Sequence, residues 1–349
     1  MNPIVASSIE KPAVCPLDCA DTCSLTVEVK QGRLEKVRGS NANPFTRGKL
    51  CSKVVNGLVD QVHGTDRLSH PLQRTGPKGP GATFEVISWQ QALDSIYEQF
   101  QKNILEHGAE SIVPMSYGGP MGLLAGGSMD KRFFNRLGAR RVNSSPLCAG
   151  VSDAAYDSVF GDAGGIAYTE LAQSKLIVIW GNNITACNLH LTTIIRDAQK
   201  NGAKLVVVDP KRIRIAEQAD LHLQLMPGTD VVLAYAIAAE LDRQGALDDA
   251  FIQQHVKGSE AYLAEAKKYS LAMAAEICGL PLEQIQQCVD YWSEIKPVGL
   301  SMGVGPERNK NGGAGIRAAF ALPVLTGNIG ALGAGCVMFP VFFLPIVMC

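Results

Sequence analysis

The chain has 349 residues, too long for one ordinary core and about right for two domains. With 46% hydrophobic and 19% charged residues a buried core is easily made, which excludes global disorder. The net charge of −1, with no strongly basic stretch, excludes nucleic acid as a natural partner.

Residues 1–14, MNPIVASSIEKPAV, have no charged n-region followed by an apolar core and no twin arginine, so we read the start as uncleaved and the protein as cytosolic. In that compartment cysteines seldom form structural disulfides, and the ten cysteines need another account. Four cluster early: Cys15, Cys19 and Cys23 in CPLDCADTC, then Cys51. Three close thiols and one distant thiol form a pattern that 4Fe–4S clusters use. Structural zinc, the rival, usually takes cysteines two by two, and a three-plus-one set fits that poorly. Between the third and fourth cysteines, SLTVEVKQGRLEKVRGS alternates around Gln31-Gly32, which predicts a hairpin of residues 25–29 with 34–38. Lys53 follows Cys51 by two residues, where its ammonium would favour a negatively charged cluster. A solvated surface lysine is the plainer reading.

Downstream the pattern becomes α/β. WQQALDSIYEQFQKNIL (89–105) reads as a helix with Ser88 as its cap. SIVPMSYGG (111–119) reads as a buried strand, 126–139 as a helix closed by Gly138, and ARRVNSS (139–145) as a short strand. SKLIVIWGNN (174–183) is a strongly apolar strand stopping at Gly181, 187–203 the next helix, and KLVVVDP (204–210) the next strand. Continuous apolar strands separated by helices imply a parallel sheet covered on both faces, and nucleotides bind such sheets at the carboxyl ends of the strands. Three loops stand there: Trp180, Gly181, Asn182 and Asn183; Asp209, Pro210 and Arg212; Pro227, Gly228, Thr229 and Asp230. Asp209 could simply cap a turn, and Asp230 could be only an acidic residue favoured at a helix start. Together the loops suggest amide and carboxylate groups reading a base and ribose, with backbone N–H groups holding phosphates.

CPLDCADTC…LCSK, WGNN, LVVVDPKR…ADLHLQLMPGTD and GAGIRAAFALPVLTGNIGALGAGC together resemble the molybdopterin oxidoreductase family, which contains formate dehydrogenases and nitrate, thiosulfate, polysulfide and dimethyl sulfoxide reductases. The resemblance runs from about Cys15 to Cys336. It implies one 4Fe–4S cluster, and molybdenum or tungsten held by two molybdopterin guanine dinucleotides. It implies Cys15, Cys19, Cys23 and Cys51 as cluster ligands, and Lys53 as the lysine between cluster and pterin. Asn182, Asp209 and Asp230 fall in motifs lining one guanine dinucleotide. The metal's protein ligand lies in VNSSPLCAGVSDAAYD, where Cys148 resembles the cysteine or selenocysteine of the formate dehydrogenase-like and thiosulfate reductase-like branches. Ser144 and Ser145 are its hard-ligand rivals, and a buried core cysteine is the structural alternative. Cys187, Cys278 and Cys288 read as core cysteines on helices, and no histidine stands out as a site residue.

The expected fold is α/β: a small N-terminal β-rich 4Fe–4S domain (1–67), the first segment of an α/β domain (68–143), a second, Rossmann-like α/β domain binding a guanine dinucleotide (144–327), and a return segment with an apolar tail (328–349). The last stretch, VMFPVFFLPIVMC, carries two prolines and no charge, is too short to span a bilayer, and stands where family members continue toward a C-terminal β-barrel domain. The expectation is a truncated, frameshifted or split product that lacks that barrel. The function implied is two-electron redox or oxygen-atom transfer on a small-molecule substrate, with electrons passing through the cluster to an electron-transfer subunit and no transmembrane segment. An iron–sulfur electron-transfer subunit of the same fold without molybdenum is the alternative, and an inert fragment the third reading.

Overall fold

The computed structural model describes residues 8–17, 19–115, 128–140, 149–161 and 164–338. The chain divides into two compact units, one formed by residues 1–18 and 22–144, the other by Cys19–Asp21 and Ser145–Cys349.

The first unit begins with a three-stranded antiparallel sheet, β1 (Ile9–Val14), β2 (Ser24–Lys30) and β3 (Arg33–Gly39), in the order β1-β2-β3. The expected hairpin is β2–β3, with Val29 opposite Leu34 and Thr26 opposite Arg38. Its turn takes left-handed backbone at Gln31 and Gly32, the geometry that a tight right-twisted hairpin needs. β1 is an addition to the sequence reading. Its residues IEKPAV are nearly all exposed, and Pro12 is tolerated because the strand lies at the sheet edge. Helix α1 (Ser52–His63) packs on this sheet through Val54 and Leu58. A small hairpin, β4 (Leu72–Arg74) with β5 (Phe84–Val86), precedes helix α2 (Trp89–His107). A capping box starts α2: the Ser88 hydroxyl accepts from Gln91 N–H, and the Gln91 side chain accepts from Ser88 N–H. Helix α3 (Met129–Leu137) ends at left-handed Gly138, as expected.

Two strands expected in this unit differ. Residues 109–111 form a single 3-10 turn, and 112–115 are extended chain without a ladder; Pro114 has no N–H to give one, and Met115 is exposed. Of 139–145, residues 139 and 140 belong to no strand, and Arg140 N–H donates to Ile112 carbonyl instead. The remainder of both stretches lies outside the described residues.

The second unit is the parallel α/β layer. Helix α4 (Gly150–Phe160) leads into β6 (Leu176–Trp180), a short helical turn α5 (Ile184–Cys187), helix α6 (Leu191–Lys200), β7 (Lys204–Val208) and β8 (Leu221–Leu223). Five helices follow: α7 (Asp230–Arg243), α8 (Asp249–His255), α9 (Ser259–Ala266), α10 (Leu271–Cys278) and α11 (Leu282–Glu294). Strand β9 (Val298–Met302), helix α12 (Gly312–Leu325) and β10 (Gly335–Met338) close the unit. All strand pairs are parallel, in the order β10-β9-β6-β7-β8. LIVIW and LVVV are buried on both faces, so near-continuous apolar strands were the correct signal. On one face Val178, Trp180, Val206 and Val208 share a core with Leu233 and Ile237 of α7, Trp292 of α11 and Phe320 of α12.

The helix expected over 187–203 is broken: α5 ends at Cys187, α6 begins at Leu191, and between them a turn buries Asn188 and His190 and exposes Leu189. Residues 335–338, expected within a separate return segment, extend the second unit's own sheet beside β9. Close approach makes that possible. A side chain at Gly333 would press on the backbone of Gln173 and Ser174, and Cys336 and Val337 are buried in the added strand. Residues 339–349 of the apolar tail lie outside the described residues.

Candidate functional site: a cysteine hairpin loop and the loops at the sheet's carboxyl edge

Residues 15–23 are the loop of the β1–β2 hairpin, because Val14 and Ser24 face each other as the last pair of that ladder. Cys15 N–H donates to Cys23 carbonyl at 2.9 Å and closes the loop at its stem. Three-residue gaps therefore put Cys15 and Cys23 at the stem and Cys19 near the apex. Thr22 adopts left-handed backbone, φ 41°, a conformation that a β-branched residue holds only when its surroundings impose it. Cys23 is buried against Leu25, Val54 and Leu58, and Cys15 and Cys51 pack on the same small core. Cys51 occupies the cap position of α1, its carbonyl accepting from Val54 and Val55 N–H at 3.2 Å. Lys53 is exposed in the first turn of that helix.

Cys19 instead packs with the second unit, along with Ala20 and Asp21. Its thiol donates to Cys187 carbonyl at 3.7 Å. The four cysteines are in no disulfide, and the donor set is all thiol, the set that iron–sulfur clusters take. Among the described residues no three His, Cys, Asp or Glu side chains stand close enough to hold a single metal ion.

In the second unit, β6 to β8 run to one side of the sheet and β9 and β10 to the other, so the strand order reverses between β6 and β9. Outside the carboxyl ends of such a pair lies the crevice where open α/β sheets bind ligands. The loops expected from sequence stand along that edge. Gly181 follows β6 with left-handed backbone, φ 58°, and Asn182 is buried, its amide donating to Ser301 hydroxyl of β9 at 3.1 Å. Asn183 is half-buried, and its side-chain oxygen accepts from Thr185. After β7, Asp209 accepts from Lys211 N–H at 2.8 Å, a tight turn that leaves Pro210 and Arg212 exposed; burial pushes the Asp209 carboxyl up. Pro227, Gly228 and Thr229 lead into α7, and the half-buried Gly228 has φ 83° beside Asn309.

Trp180 and Asp230 face inward. The Trp180 indole N–H donates to Asp230 Oδ1 at 2.7 Å, with both side chains buried. Burial pushes the Asp230 carboxyl up, and the indole hydrogen bond pulls it partly back. Their shared work is to fix the start of α7 to the end of β6.

A fourth loop, residues 303–311, completes the edge and was not singled out from sequence, although MGVGPERNKNGG carries the glycine spacing that could have found it. A side chain at Gly303 would press on Gly181 carbonyl and lie 2.6 Å from Asn182 Cα. Glu307 of this loop is buried at its carboxylate, accepting from Ala149 N–H at 2.7 Å, Ser152 N–H at 2.9 Å and Ser152 hydroxyl at 2.8 Å, with Arg308 3.3 Å away. It thus caps α4, whose preceding residue Ala149 takes left-handed backbone. Beside it Asp153 is pushed up to about 6, by burial first and then by the charges of Asp157 and Glu307. Cys148, Ser144 and Ser145 lie outside the described residues.

Two side chains correct the sequence reading. Cys278 and Cys288 are core cysteines as expected, but Cys187 is exposed, because the break after α5 turns it off the buried stripe of a longer helix. His190, passed over with the other histidines, is buried against Asp21 of the cysteine loop at 2.7 Å. No local pattern announces that pair, since its members are 169 residues apart.

The family model for molybdopterin oxidoreductase matches residues 67–340, and that for the molybdopterin oxidoreductase Fe4S4 domain matches residues 10–61. The chain is 36% identical over 325 residues to the probable oxidoreductase YoaE of Bacillus subtilis, covering 93% of this chain and 47% of that protein. It is 29% identical over 362 residues to dimethyl sulfoxide reductase DmsA of Haemophilus influenzae, covering 92% of this chain and 44% of that protein. Among solved structures, acetylene hydratase from Pelobacter acetylenicus superposes with a TM-score of 0.80 at 27% identity, over 93% of this chain and 44% of that one. The chain spans about half the length of the curated relatives it matches.

Proposed function

We propose, because the chain belongs to the molybdopterin oxidoreductase family, that it supplies the cluster-binding and dinucleotide-binding part of a molybdenum- or tungsten-dependent oxidoreductase acting on a small-molecule substrate. The observation that carries this reading is the cysteine hairpin loop, whose three thiols, with Cys51 at the start of α1, fall inside the segment matched by the Fe4S4 domain. When bound, the metal with its two pterin dinucleotides supplies two-electron redox or oxygen-atom transfer, and the cluster passes electrons singly. Cys15, Cys19, Cys23 and Cys51 hold the cluster. Lys53, exposed on the first turn of α1, lies on the route between cluster and pterin. Asn182, Asp209, Arg212 and the backbone of Gly181, Gly228 and Thr229 line the dinucleotide. Trp180 and Asp230 brace that edge from within. Cys148 is the metal's protein ligand, with Ser144 and Ser145 as the rivals. Electrons reach a separate electron-transfer subunit. Among the described residues no helix is long and apolar enough to cross a membrane. The solved relative is named a hydratase, so the oxidoreductase reaction rests on the sequence relatives and not on the shared fold.

The test is metal and sulfide analysis of anaerobically purified chain. The expected result is iron with an equal amount of acid-labile sulfide, and molybdenum or tungsten beside it. Cys51→Ser should lose most of the iron and sulfide. Zinc without sulfide would overturn the cluster, and iron and sulfide without molybdenum or tungsten would favour an electron-transfer subunit of this fold.

A further inference from the structure

Asp21 stands inside the cysteine loop, between Cys19 and Cys23. Its Oδ2 lies 2.7 Å from His190 Nδ1 and accepts from His190 backbone N–H at 3.3 Å. Both side chains are 3% exposed. His190 sits in the turn between α5 and α6, in the second unit. The same turn receives the Cys19 thiol through Cys187 carbonyl. Burying a carboxylate is costly unless a donor meets it, and Asp21 Oδ1 is buried with no hydrogen-bond partner. The pair through Oδ2 is therefore what holds this carboxylate in place. Next to it the left-handed Thr22 marks a loop shape that its own local sequence does not favour.

From this geometry we infer that His190 is a positioning residue: through Asp21 it clamps the apex of the cysteine loop, Cys19 to Asp21, and fixes the direction in which Cys19 presents its sulfur. The inference builds on the reading of Cys19 as a cluster ligand, and its first test does not need the cluster. An ionised carboxylate can only accept, so Nδ1 carries a proton and donates to Asp21 Oδ2. Asparagine places an amide nitrogen where Nδ1 stands, so His190→Asn keeps the donor, whereas His190→Ala removes it.

The experiment compares the unaltered full chain with His190→Ala and His190→Asn. In cluster-free protein, alkylation by iodoacetamide is followed at each cysteine by mass spectrometry. Cys19 should label several-fold faster in His190→Ala, Cys15 and Cys51 should be unchanged, and His190→Asn should label as the unaltered chain does. In anaerobically loaded protein, loss of iron to a chelator should be roughly tenfold faster in His190→Ala, the usual scale for removing a partner that orients a ligand. The electron paramagnetic resonance spectrum of the reduced cluster should change with it, and His190→Asn should restore both. Unchanged Cys19 labelling in His190→Ala overturns the clamp, as does a folded His190→Asn with fast Cys19 labelling. If His190→Ala does not fold, His190→Asn alone decides. Absence of iron and sulfide from the unaltered chain would overturn the cluster reading and leave the labelling result to judge the clamp.

Discussion

Replacing Trp180 by Phe tests how the dinucleotide edge is braced. The substitution deletes the indole N–H that meets Asp230 Oδ1 at 2.7 Å inside a buried core. A hydrogen bond to a charged acceptor contributes about 1.5–3 kcal/mol, and leaving that acceptor unpaired accounts for the upper part of the range. The smaller ring also leaves a cavity, worth about 1–2 kcal/mol more. Together the expected loss is about 2.5–5 kcal/mol. Urea unfolding of the full chain, followed by circular dichroism, should show the second unit's midpoint lowered by about 1–2 M. The pH dependence is diagnostic. Burial holds the folded Asp230 carboxyl above its ordinary 3.8, and the indole opposes that rise, so the variant's carboxyl rises further. A carboxyl raised in the folded state takes up a proton on folding, and its penalty grows as pH rises from the ordinary value through the folded one. The deficit should therefore be larger at about pH 7 than near the ordinary carboxyl value of 3.8. In an Asp230→Asn background, which keeps an acceptor and removes the charge, most of that pH dependence should vanish. A deficit below about 1 kcal/mol, or one equal at both pH values, would refute the brace.

Two further outcomes follow from the same edge. Gly303→Ala should destabilise the second unit by about 2 kcal/mol or more in the same unfolding assay, since its Cβ would lie 2.6 Å from Asn182 Cα and press on a backbone carbonyl that cannot swing away; a neutral result would mean that the two loops do not touch in solution. Asp153, pushed up to about 6 from 3.8, opposes folding increasingly as pH rises through that window, so Asp153→Asn should stabilise at neutral pH and give no gain below about pH 4. After allowance for its partial exposure the gain is on the order of 1 kcal/mol, read from melting curves across pH.

The elements legible in sequence were those that local physics decides. LIVIW and LVVV announced the parallel sheet because every residue is apolar, and the Ser88–Gln91 capping box announced α2. The loops after β6 and β7 were legible because a strand that ends in Gly-Asn-Asn or Asp-Pro has nowhere to go but a turn. What escaped was decided by distant chain. β1 reads as a charged, proline-bearing tail until β2 is there to pair with it. The turn at residues 188–190 interrupts what periodicity presents as one helix, because His190 is held by Asp21 far away in sequence. The same interruption exposes Cys187. Glu307 reaches Ala149 and Ser152 across more than 150 residues, and no window along the chain contains both.

The docking of Cys19–Asp21 onto the second unit has a consequence for biosynthesis. Asp21 meets His190 only after another 169 residues have been made. At usual ribosomal speeds of about 5–20 residues per second, that is an interval of roughly 8 to 34 seconds. Throughout it the nascent hairpin can close its stem between Cys15 and Cys23, while its apex has no partner yet synthesised. An assembly factor delivering iron and sulfide during translation would thus meet a loop with two thiols set and one still swinging. Delivery after release would meet all of them in place.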